Sequence, residues 1–136
     1  MNLKIDIEER VLHFRQPAGT SRGIYTERRI WLIRVTDGRR CGIGECAPLP
    51  LLSCDDMPDY GKRLRMFCND VEQKGTLDAD ALRDYPSMLF GLETALLNLE
   101  NGERLFDTAF SRGEQGIPIN GLVWMGSYEE MMQRIE

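Results

Sequence analysis

Two short segments carry the residues whose types and spacing are best suited to chemistry. In the first, Thr20 to Gly23, an arginine lies among small hydroxyl residues, and a guanidinium in such a setting can bind a carboxylate through two parallel hydrogen bonds. In the second, Glu45 to Pro50, two prolines stiffen a segment that continues into Leu51, Leu52 and Ser53. Leucines on a loop need an apolar surface to lie against, so this segment can cover an apolar substrate. The alternative is that both segments are plain connectors.

Other residue patterns point away from catalysis by this sequence. Gly42-Ile43-Gly44 lacks the third glycine and the following helix of a dinucleotide-binding loop. His13 is the sole histidine, which excludes a histidine metal cluster and favours a structural or surface role. The sequence has three lysines, Lys4, Lys62 and Lys74. We expect them on exposed strand or helix faces, where nothing lowers their pKa to the range that a catalytic base needs. The carboxylates are scattered, so we expect no catalytic residue and no metal ligand within the sequence.

Composition narrows the class of protein. The sequence has 136 residues, of which 42% are hydrophobic and 29% charged, as in one ordinary globular domain. Its 17 basic and 22 acidic residues are interleaved and give a net charge of −5, which disfavours nucleic acid and anionic membranes as partners. No apolar run approaches the about 20 residues of a membrane span, and Asn2 to Arg10 is too charged for a signal peptide. Four irregularly spaced cysteines indicate reduced thiols, so we expect a cytoplasmic protein.

The first half of the sequence predicts a sheet of three antiparallel strands. Apolar residues alternate with charged ones from Leu3 to Phe14, and alternation resumes from Trp31 to Thr36. Gln16 to Tyr25 is rich in turn-forming residues and is predicted to be a mobile loop. Asp37-Gly38 supplies the two positive-φ residues of a tight hairpin turn, after which Arg39 to Glu45 forms the third strand.

Helices are predicted after the prolines that end the sheet. Apolar residues recur at helical spacing from Tyr60 to Val71, with Asp55 or Asp56 as N-cap, Pro58 in the first turn and Gly75 as the stop. A short helix is predicted from Asp78 to Arg83. A longer one begins at Ser87 and ends at Asn101-Gly102, and it is apolar nearly all round, hence buried.

The last residues predict a new structural unit. Ile117 to Trp124 is a short apolar run typical of a strand, and Ser127 to Glu130 has the spacing of a capping box. This strand and helix lack a parallel partner strand, so we expect the sequence to stop within a larger α/β unit and to expose Val123, Trp124, Met131 and Met132. The predicted organisation is a first domain over residues 1–110, a linker over 111–116 and a partial second domain over 117–136.

This order of parts resembles the N-terminal capping domain of the enolase superfamily. Three motifs are similar to the o-succinylbenzoate synthase family: Gly19 to Gly23 (GTSRG), Gly42 to Pro50 (GIGECAPLP) and Ile119 to Gly126 (INGLVWMG). Ser87 to Gly102 is similar to the last cap helix, with Asn98 where aspartate is more usual. The resemblance implies an α+β fold: a three-stranded antiparallel sheet followed by helices, plus the first strand-helix unit of a truncated (β/α) barrel, which needs about 250 residues when complete.

The resemblance also implies a function. Family members dehydrate 2-succinyl-6-hydroxy-2,4-cyclohexadiene-1-carboxylate to o-succinylbenzoate in menaquinone biosynthesis: a lysine removes the proton α to the carboxylate and Mg²⁺ stabilises the enediolate. The lysines and metal ligands of the family lie on later barrel strands, so the 136 residues alone are expected to be inactive and to bind no metal. The implied partners are a small carboxylate substrate and the sequence's own barrel.

Specific residues follow from the resemblance. The two loops would fold over the barrel mouth, exclude water and shape specificity; their members are Thr20, Ser21, Arg22, Gly23, Pro48, Leu49, Pro50 and Leu51. Trp124 would line the pocket, whereas Asn120 either does so or is an inward structural residue of the barrel. Two other readings stay open: the cap of an N-succinylamino acid racemase or dipeptide epimerase, and a non-catalytic α+β binding module.

Overall fold

The fold is a three-stranded antiparallel sheet covered on one face by two helices. The computed structural model describes residues 2–121, 123 and 125–135. The strands are β1 (Lys4–Thr20), β2 (Gly23–Thr36) and β3 (Cys41–Cys46), in spatial order β1-β2-β3. The helices are α1 (Tyr60–Lys74), α2 (Pro86–Asn101) and α3 (Tyr128–Gln133). The prediction of an antiparallel sheet followed by helices is confirmed.

The core lies between the sheet and the first two helices. Alternate residues of the strands point into it, as the period-2 pattern requires, and the helices contribute residues three or four positions apart. Both helices end where glycines predicted, at Gly75 and Gly102, each with a φ of 70°. The largest fully buried side chains include Ile33, Val35, Tyr60, Leu64, Leu82, Met88 and Leu92.

Glycines allow β3 and α2 to pack at backbone distance. A Cβ added at Gly44 would lie 1.9 Å from the carbonyl oxygen of Gly91, and one at Gly42 would lie 2.0 Å from that of Ala95. From the helix side, a Cβ at Gly91 would lie 2.3 Å from Cys46 Sγ. Any side chain at these positions would separate the two elements. The Gly-x-Gly pair therefore serves strand-helix packing.

The predicted mobile loop at Gln16 to Tyr25 is wrong, because the two strands continue through most of it. Ala18 pairs with Tyr25 and Thr20 with Gly23, which leaves only Ser21 and Arg22 as the turn. The register shifts between His13 and Ala18, and this irregular stretch accommodates Pro17, which has no N–H to donate to a ladder. The turn-forming residues therefore make a tight hairpin that extends the sheet well beyond the core.

The second hairpin turn forms where predicted, but only one of its two residues has positive φ. Gly38 has a φ of 88°, whereas Asp37 uses its carboxylate to accept the amides of Arg39 at 2.9 Å and Arg40 at 2.7 Å. These hydrogen bonds, that from Arg40 first, lower the pKa of Asp37 to about 2. The aspartate thus stabilises the turn through its side chain and not through its backbone conformation.

The predicted helix starts are partly wrong. Neither Asp55 nor Asp56 caps α1, whose N-cap position is Asp59 without a side-chain capping bond, and Pro58 precedes the helix. Ser87 lies inside α2, since Pro86 occupies the first turn, where its missing N–H has no intrahelical acceptor.

The predicted short helix after Asp78 is also wrong. The Asp78 carboxylate accepts the Ala81 amide at 3.0 Å, yet the segment to Arg83 forms turns only. One capping bond over six residues does not outweigh the cost of nucleating a helix.

The C-terminal segment differs from the predicted strand. None of the described residues between Ile117 and Val123 is in a strand, and they find no partner strand among the described residues. Val123 and Met132 are exposed as predicted, whereas Met131 is half-buried and Trp124 lies outside the described residues.

The capping box that opens α3 is confirmed. Ser127 accepts the Glu130 amide at 3.3 Å, and the Glu130 carboxylate accepts the Ser127 amide at 2.8 Å.

Candidate functional site

The structure attaches the proline-rich segment to the stem of the hairpin whose tip carries Thr20 to Gly23. The hydroxyl of Tyr25, three residues beyond Arg22 at the hairpin tip, donates a hydrogen bond of 2.8 Å to the carbonyl of Pro50. The Arg28 guanidinium, on the same strand, donates to the carbonyl of Ala47. Both acceptors are backbone oxygens of the proline-rich segment. The stem of the hairpin therefore holds that segment at its two ends.

We call residues 47–53 the proline loop. Hydrogen bonds within it and to Asp56 give it a defined shape. Leu49 donates its amide to Ser53 Oγ at 2.8 Å and accepts the amides of Leu52 at 3.1 Å and Ser53 at 3.0 Å. Asp56 accepts the amide of Leu51 at 3.0 Å. Such bonds fix a loop that contains no regular secondary structure.

Leu51 occupies an unusual position in the proline loop. Its φ of 60° is the sole positive value among the described non-glycine residues, and its side chain is 78% exposed. A left-handed conformation costs a non-glycine residue about 1–2 kcal/mol. A large apolar side chain that stays in water contributes no burial free energy to offset that cost. Strain of this kind concentrates at functional sites.

A groove of about 400 Å³ separates the proline loop from the hairpin stem. Its floor is one face of β2, with the charged residues Glu27 and Arg29 followed by Trp31. Its wall comes from the loop and the residues leading into α1, and includes Pro48, Pro50, Asp56, Met57, Pro58 and Tyr60. The groove is of mixed polarity, and both strand charges have partners: Arg29 lies 3.3 Å from Glu9, and Glu27 lies 3.7 Å from His13.

A buried polar network fixes the base of the proline loop. Asp55 is fully buried, and its Oδ2 accepts the Ser87 amide at 2.7 Å and the Ser87 hydroxyl at 2.5 Å. The Tyr60 hydroxyl lies 2.6 Å from Ser87 Oγ; since that hydroxyl donates to Asp55, tyrosine is the donor to serine. The Tyr60 ring stacks on Trp31 at 4.2 Å between centroids. Burial raises the pKa of Tyr60 well above its usual range, so the phenol stays a donor.

The hairpin tip is exposed. Thr20 Oγ1 accepts the Arg22 amide at 3.1 Å and donates to the Gly23 carbonyl at 3.3 Å, which fixes the turn. The Arg22 guanidinium projects into solvent and forms no ion pair within the described part of the chain. An arginine held on a short, locally bonded turn is well placed to bind an approaching carboxylate.

The C-terminal segment reaches the hairpin tip at one point. The amide of Gly19, next to the hairpin tip, lies 3.0 Å from the sulfur of Met125. Asn120 is exposed, and the structure does not bring it to the two loops. Trp124 lies outside the described residues.

Comparison with known proteins identifies the chain's family. The model for the MenC N-terminal domain matches residues 20–99, which contain β2, β3, α1 and nearly all of α2. The chain belongs to this family. It is 34% identical over 158 aligned positions to the o-succinylbenzoate synthase of Desulfotalea psychrophila, with 92% of the chain and 43% of that protein covered. The chain thus spans less than half the length of this relative.

Solved structures agree with the fold. MenC from Desulfotalea psychrophila superposes with a TM-score of 0.67 at 27% identity, covering 99% of this chain and 45% of that one. An enolase family member from Agrobacterium tumefaciens with homology to dipeptide epimerases superposes with a TM-score of 0.63 at 18% identity, covering 97% and 41%. The second similarity shows the fold alone. The enolase-superfamily capping fold expected from the sequence is therefore confirmed.

The described residues do not form a metal site. No three His, Cys, Asp or Glu side chains among them converge closely enough to hold an ion.

None of the helices in the described part of the chain is long and apolar enough to cross a membrane.

The sequence analysis missed the residues that hold the site together. Asp55 was expected as a helix cap, and Tyr25 and Arg28 were given no role, yet these three attach the proline loop to the rest of the molecule. The sequence signal that could have indicated this role was the position of Asp55, which follows the proline loop and precedes the apolar stripe of α1 by several residues. Its partner, Ser87, lies 32 residues away in the sequence, which is beyond any local pattern.

Proposed function

We propose that this chain is the capping part of an o-succinylbenzoate synthase, whose two loops close over a barrel active site and select the substrate. The family assignment gives the reaction class. The observation that carries the role of the loops is the attachment of the proline loop to the hairpin stem through Tyr25 and Arg28. A lid that must exclude water and present side chains to a substrate needs such a rigid attachment.

Within this proposal each loop has its own task. Arg22 at the hairpin tip binds a carboxylate of the substrate, and Thr20, Ser21 and Gly23 shape the turn that presents it. Leu51 covers the apolar part of the substrate, while Pro48, Leu49 and Pro50 set its position. Burial of the exposed Leu51 side chain on closure would be favourable by about 1.5–3 kcal/mol, which can offset the left-handed conformation of its backbone.

We also propose the organisation in which these loops act. Residues 1–110 form the cap, 111–116 a linker, and 117–136 the start of the barrel, with Asn120 and Trp124 on its first strand. That strand is not formed among the described residues between Ile117 and Val123, and within this proposal it forms when neighbouring barrel strands supply its partners. We assign the Mg²⁺ ligands and the catalytic lysines of the reaction to later strands of the barrel, where the resemblance to the family puts them.

The test is a graft of this chain onto a barrel. The chain replaces the matching N-terminal part of the Desulfotalea psychrophila synthase, and the dehydration of 2-succinyl-6-hydroxy-2,4-cyclohexadiene-1-carboxylate is measured. The graft should be active and the chain alone inactive. Arg22→Ala and Leu51→Ala should each raise KM about tenfold with little change in kcat, because they remove binding contacts distant from the reacting atoms. Met66→Ala, which removes an exposed apolar side chain of α1 outside both loops, is the matched control. Unchanged KM values in both variants would refute the lid role.

The same graft distinguishes a second activity. The fold similarity to an enzyme with homology to dipeptide epimerases makes racemisation of N-succinylamino acids or epimerisation of dipeptides the alternative for such a cap. Each substrate class is assayed on the graft in parallel. A higher kcat/KM for an amino acid derivative than for the cyclohexadiene would transfer the proposal to that reaction.

A further inference from the structure

The edge of β1 that faces away from β2 has hydrogen-bond partners for its backbone at Ile5 and none for the residues that follow on that side, among the described residues. Ile5 donates its amide to Glu72 Oε1 at 2.5 Å and accepts Arg65 Nη1 at 2.7 Å, so its backbone groups point away from β2 and toward α1. Backbone direction alternates along a strand, and the pairing of β1 with β2 is regular from Lys4 to His13. The amides and carbonyls of Ile7, Glu9, Val11 and His13 therefore point to the same edge.

No part of the described chain covers this edge. None of the recorded hydrogen bonds among the described residues involves the backbone of Ile7, Glu9, Val11 or His13 on that side. Val11 is 42% exposed and Leu12 46% exposed. Proteins usually protect such an edge by charged side chains, a bulge or a proline; this edge carries charged side chains, but its first irregularity comes only after His13.

The charges along the edge are self-complementary. Acidic residues predominate in the first half, with Asp6, Glu8 and Glu9 after Lys4, and basic residues follow, with Arg10, His13 and Arg15. Within the sheet, Arg10 lies 2.7 Å from Glu8 and His13 lies 3.7 Å from Glu27. A parallel neighbour of the same sequence would place like charges side by side. An antiparallel neighbour centred on Val11 places Glu9 opposite His13 and diagonal to Arg15, within reach of both.

We propose that β1 pairs with β1 of a second copy of this chain, antiparallel and about a two-fold axis at Val11. In this arrangement Val11 exchanges both backbone hydrogen bonds with its symmetry mate, and Glu9 does so with His13 on either side. The three residues of each copy that pair, Glu9, Val11 and His13, have backbone groups that already point outward, so the contact needs no change in the sheet. Glu9 keeps its ion pair with Arg29 on the neighbouring strand.

Hydrogen exchange tests the proposal without a substitution. The outward amides of Glu9, Val11 and His13 should become protected as the protein is concentrated from about 10 µM to 1 mM, the range expected for a small interface. The inward amides of Arg10 and Leu12, which belong to the β1-β2 ladder, should not change. Exchange of the outward amides that is independent of concentration overturns the proposal.

Substitution at the axis gives an independent test by sedimentation. Val11→Pro removes an outward N–H and leaves the ladder to β2 intact, and it should weaken dimerisation at least about tenfold, because both symmetry-related bonds are lost. Val11→Thr is the matched control, since it keeps the N–H and a β-branched side chain. Circular dichroism confirms that each variant folds. Association that persists in Val11→Pro places the contact elsewhere and refutes the pairing.

Discussion

Removal of the Asp55 side chain should be among the most destabilising single changes in this chain. Asp55 is fully buried, and one of its oxygens accepts two hydrogen bonds from Ser87. In Asp55→Ala the amide and hydroxyl of the half-buried Ser87 lose their acceptor. A hydrogen bond to a charged group contributes about 1.5–3 kcal/mol, so we expect a loss of about 3–5 kcal/mol, a large fraction of the stability of an ordinary domain.

The neighbouring aspartate provides the control for this prediction. Asp56 is exposed and accepts one amide, that of Leu51, so Asp56→Ala should cost about 1 kcal/mol or less. Asp55→Asn keeps an acceptor for Ser87 and places its amide where Oδ1 has no partner among the described residues. It should therefore lie between the two alanine variants.

Urea unfolding followed by far-UV circular dichroism measures these differences as shifts in the midpoint at constant slope. If Asp55→Ala does not fold, Asp55→Asn and Ser87→Ala still rank the network against Asp56→Ala. Equal midpoints for Asp55→Ala and Asp56→Ala would refute the reasoning, because they would mean that the buried acceptor contributes no more than an exposed one.

Three further predictions concern packing, thiol reactivity and the pH dependence of stability. Gly44→Ala should destabilise the chain by about 2 kcal/mol or more, because its Cβ would lie 1.9 Å from the Gly91 carbonyl, whereas Gly116→Ala, with nothing within 4 Å, should have little effect in the same urea assay. Burial raises the pKa of both Cys46 and Cys68 to about 12, so at pH 8 a thiol reagent should modify the exposed Cys41 and Cys54 first. The raised pKa values mean that the folded state keeps these two thiols protonated, whereas thiols of the unfolded chain ionise from about pH 9. The free energy of unfolding should therefore fall as the pH rises from about 9 toward 12. Equal reaction rates for all four thiols would contradict the first of these expectations, and a constant free energy of unfolding over that range would contradict the second.

The sequence predicts the parts of this fold that depend on local periodicity. The alternation around Ile33 and the helical spacing from Tyr60 to Val71 identify buried faces, and the glycines at positions 75 and 102 end both helices as expected. These features arise within a few residues of one another: solvent exclusion determines the buried faces, and the positive φ that glycine adopts readily determines the helix ends.

Features that depend on pairing between distant segments are not predictable in this way. Pro17 and its neighbours were interpreted as a loop because turn residues in isolation favour one, whereas pairing with the strand after Gly23 extends the hairpin. Conversely, the apolar run from Ile117 predicts a strand, yet a strand requires a partner, and the described residues offer none. The two loops of the site were identified by composition, but the attachment of the proline loop to the hairpin stem required the structure.

The way in which the proline loop is attached has a consequence for how its surface can vary. Tyr25 and Arg28 bind the carbonyls of Pro50 and Ala47, and every residue type has a carbonyl. The side chains that project from the loop, Leu51 and Leu52 above all, therefore take no part in holding it in place. They can be exchanged for polar, aromatic or charged residues while the loop keeps its position. A library randomised at these two positions would change what the loop presents without changing where it is presented, as hypervariable loops do on a constant framework.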